Sequence, residues 1–301
     1  MASEHEQDDH LTSLMEWVAH LEPPVATIRF EQVDKPLQDY LDHHVSLGIE
    51  LEKVRFDDRI RVVVIAGRDD DSGIFEMGRA RHEEDRPWDL RAVNPHTRPG
   101  GPGSIRGPWN LTQGIERTFQ TLAFMEKPVI GKLTGDATGF AAHTMWGCDI
   151  VVAREDVTVS DGHLSMNPWL PVAMSAGDGA FAFLPLFMTP TKLKEFLLLG
   201  PKWTAKQLAD MGVINYALPA DQVDAKVEEF VQAFLARPPV PLIRTKRAAN
   251  KRLVEQLNLT LDYSWAAEST DLWEFPATDF KQEMTLRPDE PAWTLPPPNE
   301  D

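Results

Sequence analysis

One stretch of the chain decides its fold class. Residues 127–163 read KPVIGKLTGDATGFAAHTMWGCDIVVAREDVTVSDGH. Pro128–Leu133 is a short apolar strand that ends in a glycine turn, a helix is predicted over 139–147, and Asp149–Ala153 is a second apolar strand. Continuous apolar strands of this kind are typical of strands covered on both faces. The pattern therefore predicts a βαβ unit and a parallel sheet.

The same alternation extends outward along the chain. Another strand, Arg61–Gly67, also runs into a glycine-containing segment. The remaining predicted elements are a helical N-terminal segment closed by Pro23-Pro24, a strand at Val25–Phe30, helices over 111–125, 173–188, 191–199 and 204–211, a strand at Val213–Leu218, and mostly helix from Asp221 onward. We therefore predict an α/β fold with a helical C-terminal region.

Composition excludes several classes of protein. The 301 residues are 42% hydrophobic and carry a formal charge of −17, which favours one large globular domain and argues against a nucleic-acid partner. No apolar run approaches the roughly 20 residues of a membrane span. Cys148 is the single cysteine, so an internal disulfide and a cysteine-rich zinc site are excluded. The acidic start MASEHEQDDH lacks the features of a secretory signal, and we expect a cytoplasmic protein.

The two strand–glycine–helix junctions, at residues 62–80 and 127–153, could supply backbone N–H groups that bind a substrate oxygen. A glycine turn that precedes a helix leaves backbone N–H groups directed into space. Two such groups aimed at one point form an oxyanion hole, which stabilises negative charge on a substrate oxygen.

The order of these features resembles the crotonase superfamily, the enoyl-CoA hydratase/isomerase fold, over about residues 25–280. Residues 127–163 resemble its Lys-Pro-Val-Ile-Ala, Asn-Gly, Gly-Gly-Gly and Cys-Asp-Ile-Val-x-Ala-x-Glu succession. A second similar stretch, residues 196–223, reads FLLLGPKWTAKQLADMGVINYALPADQV. It resembles the family's Leu-x-Gly followed by Ala-x-x-Ala-x-x-x-Gly-Leu-Val-Asn.

The resemblance implies a crotonase-like spiral of ββα units assembled as a homotrimer or hexamer. It implies a four-part chain: an N-terminal extension at 1–24, the spiral core at 25–220, a helical trimerisation or cap region at 221–287, and a proline-rich acidic tail at 288–301. No cofactor is expected, and CoA would enter only as part of a thioester substrate. No metal is expected either, since no local ligand spacing supports a site built on the histidines.

The resemblance also implies the site. By position, the backbone amides of Arg79 and Phe140 would form the oxyanion hole. Enoyl-CoA hydratases hold water with two glutamates, and this chain has His143 and His163 in their places. His143 lies three residues after Phe140 on the predicted helix, so the two share a face. A helix N-terminus disfavours positive charge, so we expect a neutral His143 that can accept a proton. Asp161 could orient a histidine or act as the base itself.

Plainer interpretations of these residues stay open. His143 could be a buried helix histidine bonded to a carbonyl, His163 a loop histidine, and Asp161 a turn residue before Gly162. Residues that could line a substrate pocket are Met77, Trp88, Trp109, Trp146 and Trp169, although tryptophan is also common in cores. Arginines between 79 and 106 could meet CoA phosphates or could be solvated surface charge.

Three hypotheses follow. The first is an enoyl-CoA hydratase-like lyase acting on an acyl-CoA thioester with histidine and aspartate as acid and base. The second is a CoA-independent C–C bond hydrolase of a cyclic β-diketone, since Asp161-Gly162-His163 resembles a turn of the 6-oxocamphor hydrolase type. The third is a catalytically inactive oligomeric homologue. The first hypothesis is favoured because acyl-CoA chemistry is the commoner activity of this fold, which is an argument by analogy.

Overall fold

The structure is a computed structural model that describes residues 11–36, 43–67, 106–161, 163–164 and 175–274. The strands are β1 (Leu11–Glu22), β2 (Val25–Pro36), β3 (Val62–Ala66), β4 (Val129–Leu133), β5 (Ala137–Thr138), β6 (Ile150–Arg154), β7 (Thr158–Ser160), β8 (Trp203–Thr204) and β9 (Tyr216–Leu218). The helices are α1 (His43–Arg55), α2 (Arg106–Phe124), α3 (Phe140–Trp146), α4 (Ala180–Phe187), α5 (Pro190–Leu199), α6 (Ala205–Asp210), α7 (Ala220–Leu235), α8 (Pro239–Ala249) and α9 (Lys251–Glu274).

Two sheets organise the described chain. The larger has the strand order β1-β2-β3-β4-β6-β9, in which β1 is antiparallel to β2 and every other pair is parallel. The smaller has the order β5-β7-β8. This confirms the predicted α/β fold with its largely parallel sheet and its helical C-terminal region.

The large sheet is covered on both faces, which explains its continuous apolar strands. On β3, Val63 and Ile65 belong to the main core. Val62 and Val64 point to the other face and pack in a second cluster with residues of α7 such as Val223 and Val227. Successive side chains of a strand alternate between faces, so a strand buried on both faces has no polar positions.

Four predicted elements differ from the structure. Strand β9 covers only the last three residues of the predicted strand Val213–Leu218, and α2 begins five residues before the predicted helix over 111–125. The predicted N-terminal helical segment is wrong, because residues 11–22 form β1, which pairs along its whole length with β2. Pro23-Pro24 sits in the hairpin turn, and proline in a turn is compatible with either a helix end or a hairpin. The predicted helix over 173–188 is shorter, because α4 begins at Ala180 after Gly179, whose φ is 99°. The four-part division of the chain and its assembly stay predictions.

The C-terminal helices dock on the sheet through polar contacts. Buried Lys246 of α8 donates to the backbone oxygen of Lys127 at 2.8 Å and pairs with Asp149 at 2.7 Å. Asn250 donates to the backbone oxygen of Ala123 at 3.1 Å. These contacts place α9 against α2 and α4, with its inward side chains in the main core. Across the described ranges, no helix has the length and apolar character needed to cross a membrane.

Candidate active site

Helix α3 carries the first histidine of the site. All seven of its residues are buried, and the helix starts after Gly139, whose φ of 54° lies in a region that favours glycine. His143 is in the middle of this helix and is completely buried. Its ring stacks on Trp146 at a centroid distance of 5.3 Å. A fully buried imidazole needs polar partners, since an unsatisfied polar group in a core is costly.

Two aspartates supply those partners. His143 Nε2 lies 3.1 Å from Asp161 Oδ2. On the other side of the ring, Nδ1 lies 3.0 Å from the backbone oxygen of Asp178 and also contacts the carboxylate of that residue. Asp161 follows β7, and Asp178 precedes α4, so this one side chain joins three segments of the chain.

His163 meets the same aspartates on their other sides. Asp161 Oδ1 accepts a hydrogen bond from the His163 backbone N–H at 3.0 Å and lies 3.1 Å from His163 Nδ1. The two imidazole rings are nearly parallel, with 6° between their planes and 6.1 Å between their centroids. Asp161 therefore bridges the two histidines with one oxygen on each.

The remaining nitrogen of His163 faces two carboxyl groups. His163 Nε2 lies 3.6 Å from Asp178 Oδ2 and 3.9 Å from Glu268 Oε1, both beyond hydrogen-bond distance. Glu268 is on α9, and its Oε2 has no hydrogen-bond partner in the part of the chain that the structure describes. Gaps of this length are where a water molecule or a substrate oxygen can bridge polar groups.

The whole cluster is withdrawn from bulk solvent. The exposed fractions are 0% for His143 and Asp161, 1% for Asp178, 5% for Glu268 and 7% for His163. Charged side chains are rarely buried so completely unless they are paired, and buried clusters of perturbed titratable groups mark functional sites more often than other places. The concentration of five such groups is therefore a functional signal.

The carboxylates hold both histidines in the charged form. Burial opposes the charge of His143, but Asp178 and Asp161 outweigh it and raise the pKa of His143 to about 9. Burial likewise opposes the charge of His163, and Asp178 and Asp161 raise its pKa well above the usual value. The prediction of a neutral His143 is therefore wrong. The helix N-terminus is a fractional charge, whereas the aspartates are full charges in direct contact.

The three carboxyl groups differ in pKa. Burial favours protonation of Asp161 and Asp178, but the two imidazolium groups prevail and lower the pKa of both aspartates. For Glu268, burial raises the pKa to about 7, helped by the charges of Asp178 and Asp161 and opposed by His163 and His44. Glu268 can therefore gain or lose a proton near neutral pH, which suits a general acid or base.

The structure brings together some of the sequence-predicted residues. His143, Asp161 and His163 are in direct contact, and Phe140 is the first residue of α3, one turn before His143. Trp146 is a core residue that supports the His143 ring, and Trp109 falls within α2. Met77, Arg79, Trp88 and Trp169 lie outside the described residues. The oxyanion hole and the substrate-lining residues stay predictions.

Sequence reasoning missed two members of the cluster. Asp178 lies between Gly177 and Gly179, in a segment that the sequence pattern assigned to a helix. The two glycines were the signal for a turn there. Glu268 is one of many acidic residues of the C-terminal helices, and no motif distinguishes it. In the described ranges, no three His, Cys, Asp or Glu side chains are arranged to hold a metal ion.

Comparison with known proteins places this site in a family. A family model described as enoyl-CoA hydratase/isomerase matches residues 109–287, more than half of the chain. The chain belongs to the enoyl-CoA hydratase/isomerase family. YngF of Bacillus subtilis, named an enoyl-CoA hydratase/isomerase, is 28% identical to this family member over 143 residues. The matched region covers 48% of the chain and 53% of YngF. The chain therefore spans about half the length of that relative. It is 23% identical to carnitinyl-CoA dehydratase of Salmonella typhimurium over 74% of the chain and 78% of that enzyme.

Solved structures show the crotonase fold for this family member. An enoyl-CoA hydratase of Bacillus halodurans superimposes with a TM-score of 0.69 at 15% identity, over 89% of this chain and 98% of that one. The β-diketone hydrolase ABDH of Anabaena sp. PCC 7120, bound to (S)-3-oxocyclohexyl acetic acid, superimposes with a TM-score of 0.67 at 21% identity, over 86% of this chain and 94% of that one. The predicted crotonase fold is confirmed.

Proposed function

We propose that this protein is a hydrolase that cleaves a carbon–carbon bond of a cyclic β-diketone without using CoA. One observation carries the proposal: the buried His163 imidazole places its Nε2 3.9 Å from the carboxyl group of Glu268. Such a pair can move protons in both directions near neutral pH, because one partner is an acid and the other can be a base.

The reaction needs one water molecule. The Glu268 carboxylate takes a proton from water as the water oxygen bonds to one ring carbonyl carbon. The adduct collapses to a carboxylic acid, and the bond to the carbon between the two carbonyls breaks. The electron pair of that bond becomes an enolate, whose oxygen the His163 imidazolium stabilises. The proton held by Glu268 then returns to the enolate carbon, which completes the ketone and restores the carboxylate.

The other three groups keep this pair charged and oriented. Asp161 holds His163 through Nδ1, so that Nε2 is the nitrogen directed at Glu268 and Asp178. His143 balances the charges of Asp161 and Asp178 from the far side. In a dry site, fixed charges of this kind act on a developing enolate without reorganising, which is the main source of electrostatic catalysis.

The comparison with the solved β-diketone hydrolase supports this substrate class. Addition of water to a bicyclic β-diketone followed by C–C cleavage leaves a ring ketone with a carboxylic acid arm, and the molecule bound in that structure is of this type. In this proposal each proton-transfer group comes from the described residues of the chain.

Hydration of an enoyl-CoA thioester is the second candidate. The family model and the carnitinyl-CoA dehydratase relative support it. The same pair could add water to a carbon–carbon double bond. Glu268 would take a proton from water as the water oxygen bonds to the β-carbon, and the same proton would then return to the α-carbon of the thioester enolate. The predicted oxyanion amides of Arg79 and Phe140, in a homotrimer or hexamer, would serve either reaction.

A substrate panel separates the candidates. We expect cyclic and bicyclic 1,3-diketones to lose their ultraviolet absorbance in the presence of the protein, and crotonyl-CoA and other short enoyl-CoA thioesters to remain unchanged. The variant His163→Gln should lose the activity, whereas His20→Gln, a change in the more exposed hairpin histidine beside Glu31, should retain it. Turnover of enoyl-CoA alone would establish the second candidate. Turnover of neither class would indicate an inactive homologue.

A further inference from the structure

The turn before α4 makes unusually close contact with α9. Gly177 precedes Asp178, and its backbone oxygen accepts a hydrogen bond from Ser264 Oγ at 3.4 Å. Ser264 and Glu268 are one helical turn apart on α9, so they present the same face to this turn. The contact therefore brings Asp178 and Glu268, which come from distant parts of the chain, to the same side of His163.

A side chain at position 177 would occupy the place of the Glu268 carboxyl group. A Cβ built on Gly177 would lie 2.8 Å from Glu268 Cδ and 2.8 Å from Glu268 Cβ, and it would overlap Oε2 directly. Real Cβ atoms essentially never come within 3.0 Å of a non-bonded heavy atom. The contact with Glu268 Cβ involves an atom fixed to the backbone of α9, so rotation of the side chain cannot relieve it.

The oxygen involved is the one that lacks a protein partner. Glu268 Oε2 is buried and has no hydrogen-bond partner among the described residues. No hydrogen bond from the described residues fixes this oxygen, so packing against neighbours such as Gly177 limits where it can lie. The Glu268 carboxyl group occupies the space where a side chain at position 177 would lie.

We propose that Gly177 is a positioning residue: by having no side chain, it leaves the space that the Glu268 carboxyl group fills and so fixes that group opposite His163 Nε2. The inference rests on the proposed function only in assigning Glu268 to proton transfer. The geometric part, that residue 177 controls the surroundings of the Glu268 carboxyl, is independent of the substrate.

The test uses Gly177→Ala in the full chain. We first measure the Glu268 carboxyl by ¹³C nuclear magnetic resonance during a pH titration, with its resonance assigned by its absence in Glu268→Gln. In the native protein the midpoint should be near pH 7. In Gly177→Ala the carboxyl is displaced from its buried place, and the midpoint should fall toward the ordinary glutamate value of about 4.3.

Activity on the diketone panel provides the second readout. Gly177→Ala should lower kcat about 10- to 100-fold, within the range that general acid–base groups contribute. It should change kcat no further when combined with Glu268→Gln, because the group it positions is then already absent. Gly48→Ala is the matched control, since its Cβ would also be crowded, 2.9 Å from Thr118 Oγ1, but at the α1–α2 contact. It should leave the Glu268 titration unchanged.

The outcomes distinguish the positioning role of Gly177 from the proposed diketone hydrolase activity. An unshifted Glu268 titration in Gly177→Ala overturns the positioning role, as does a multiplicative loss of kcat in the double variant. A shifted titration with no diketone activity in the native protein supports the positioning role and contradicts the proposed function. If Gly177→Ala does not fold, Gly177→Ala/Glu268→Gly removes both the carboxyl group and the Cβ that the new methyl group would meet; failure of that removal to restore any folding also overturns the proposal.

Discussion

At the scale of single residues, the site consists of proton carriers of opposite charge. His163 is held as a cation by two aspartates, while Glu268 is poised near pH 7. The pKa of His163 is raised because carboxylates surround it, whereas the pKa of Glu268 is raised mainly by burial, which outweighs the opposing charge of His163. Pairs whose environments push their pKa values apart are the usual basis for assigning acid and base roles.

Replacing Glu268 by glutamine should abolish the base. We expect Glu268→Gln to lower kcat by about 10²-fold or more. The native rate should fall as pH drops below about 7, where Glu268 becomes protonated, and the residual rate of the variant should lack this inflection. A pH profile of kcat checks both points. Glu255→Gln, an exposed change on the same helix, is the control.

Stability distinguishes loss of the base from loss of the fold. The pKa of Glu268 is raised in the folded state, so its contribution favours folding at low pH and is lost as pH rises through about 7. Glu268→Gln should therefore be at least as stable as the native protein at pH 8 by urea denaturation. An inactive variant that is also strongly destabilised at pH 8 would contradict this account.

His143 gives a second prediction at this scale. Its pKa is raised to about 9, so its stabilising contribution is complete below its unfolded-state pKa of about 6.5 and is lost as pH rises through 9. The difference in unfolding free energy between native protein and His143→Gln should shrink by on the order of 1–3 kcal/mol between pH 7 and pH 10. A difference that is constant over this range would show that His143 is not a buried cation.

The residues that could be predicted are those in a local motif. His143, Asp161 and His163 could be predicted because their segment resembles the crotonase family, in which the two histidines stand at the glutamate positions, and the structure brings the three side chains into contact. Asp178 and Glu268 join the cluster through tertiary contacts between distant segments, which leave no spacing in the sequence. The charge of His143 could not be predicted for the same reason. Asp178, the carboxylate that raises its pKa most, is 35 residues away in the sequence.

At the scale of elements, the position of α9 determines whether Glu268 reaches the site. Helix α8, which precedes it, is anchored by Lys246 to Asp149 and to the backbone oxygen of Lys127. Asp149 in turn accepts a hydrogen bond from the Val129 backbone N–H at the start of β4. This polar junction links the C-terminal helices to the centre of the sheet.

Removing the lysine should weaken that junction. We expect Lys246→Met to lower the unfolding free energy by about 3–5 kcal/mol, because it leaves the Asp149 charge without its buried partner. Urea denaturation at pH 7 measures the loss. Lys251→Met, a change in an exposed lysine five residues later, should cost less than about 0.5 kcal/mol. Equal losses in the two variants would show that the junction contributes nothing specific.

Elements with a strong local pattern could be predicted, and those decided by pairing could not. The strands β3, β4 and β6 and the helix α3 lie within a residue or two of their predicted limits, because apolar runs and glycine turns define them. The helix predicted for residues before Pro23 is wrong, because pairing with β2 determines the conformation of β1 across a turn that either structure would allow. Pairing is a non-local interaction and is invisible to local periodicity.

At the scale of the whole molecule, the net charge of −17 acts on substrates before they reach the site. An acidic protein repels an anionic ligand such as an acyl-CoA, and added salt screens this repulsion. A neutral diketone is not repelled, so salt should not change its binding. For a neutral diketone we expect kcat/KM to stay within about twofold between 20 and 500 mM NaCl. For an acyl-CoA the same increase in salt should raise kcat/KM, because it screens repulsion. A diketone rate that rises or falls steeply with salt would mean that a charged form of the substrate is the one that binds, and the neutral class would then have to be abandoned.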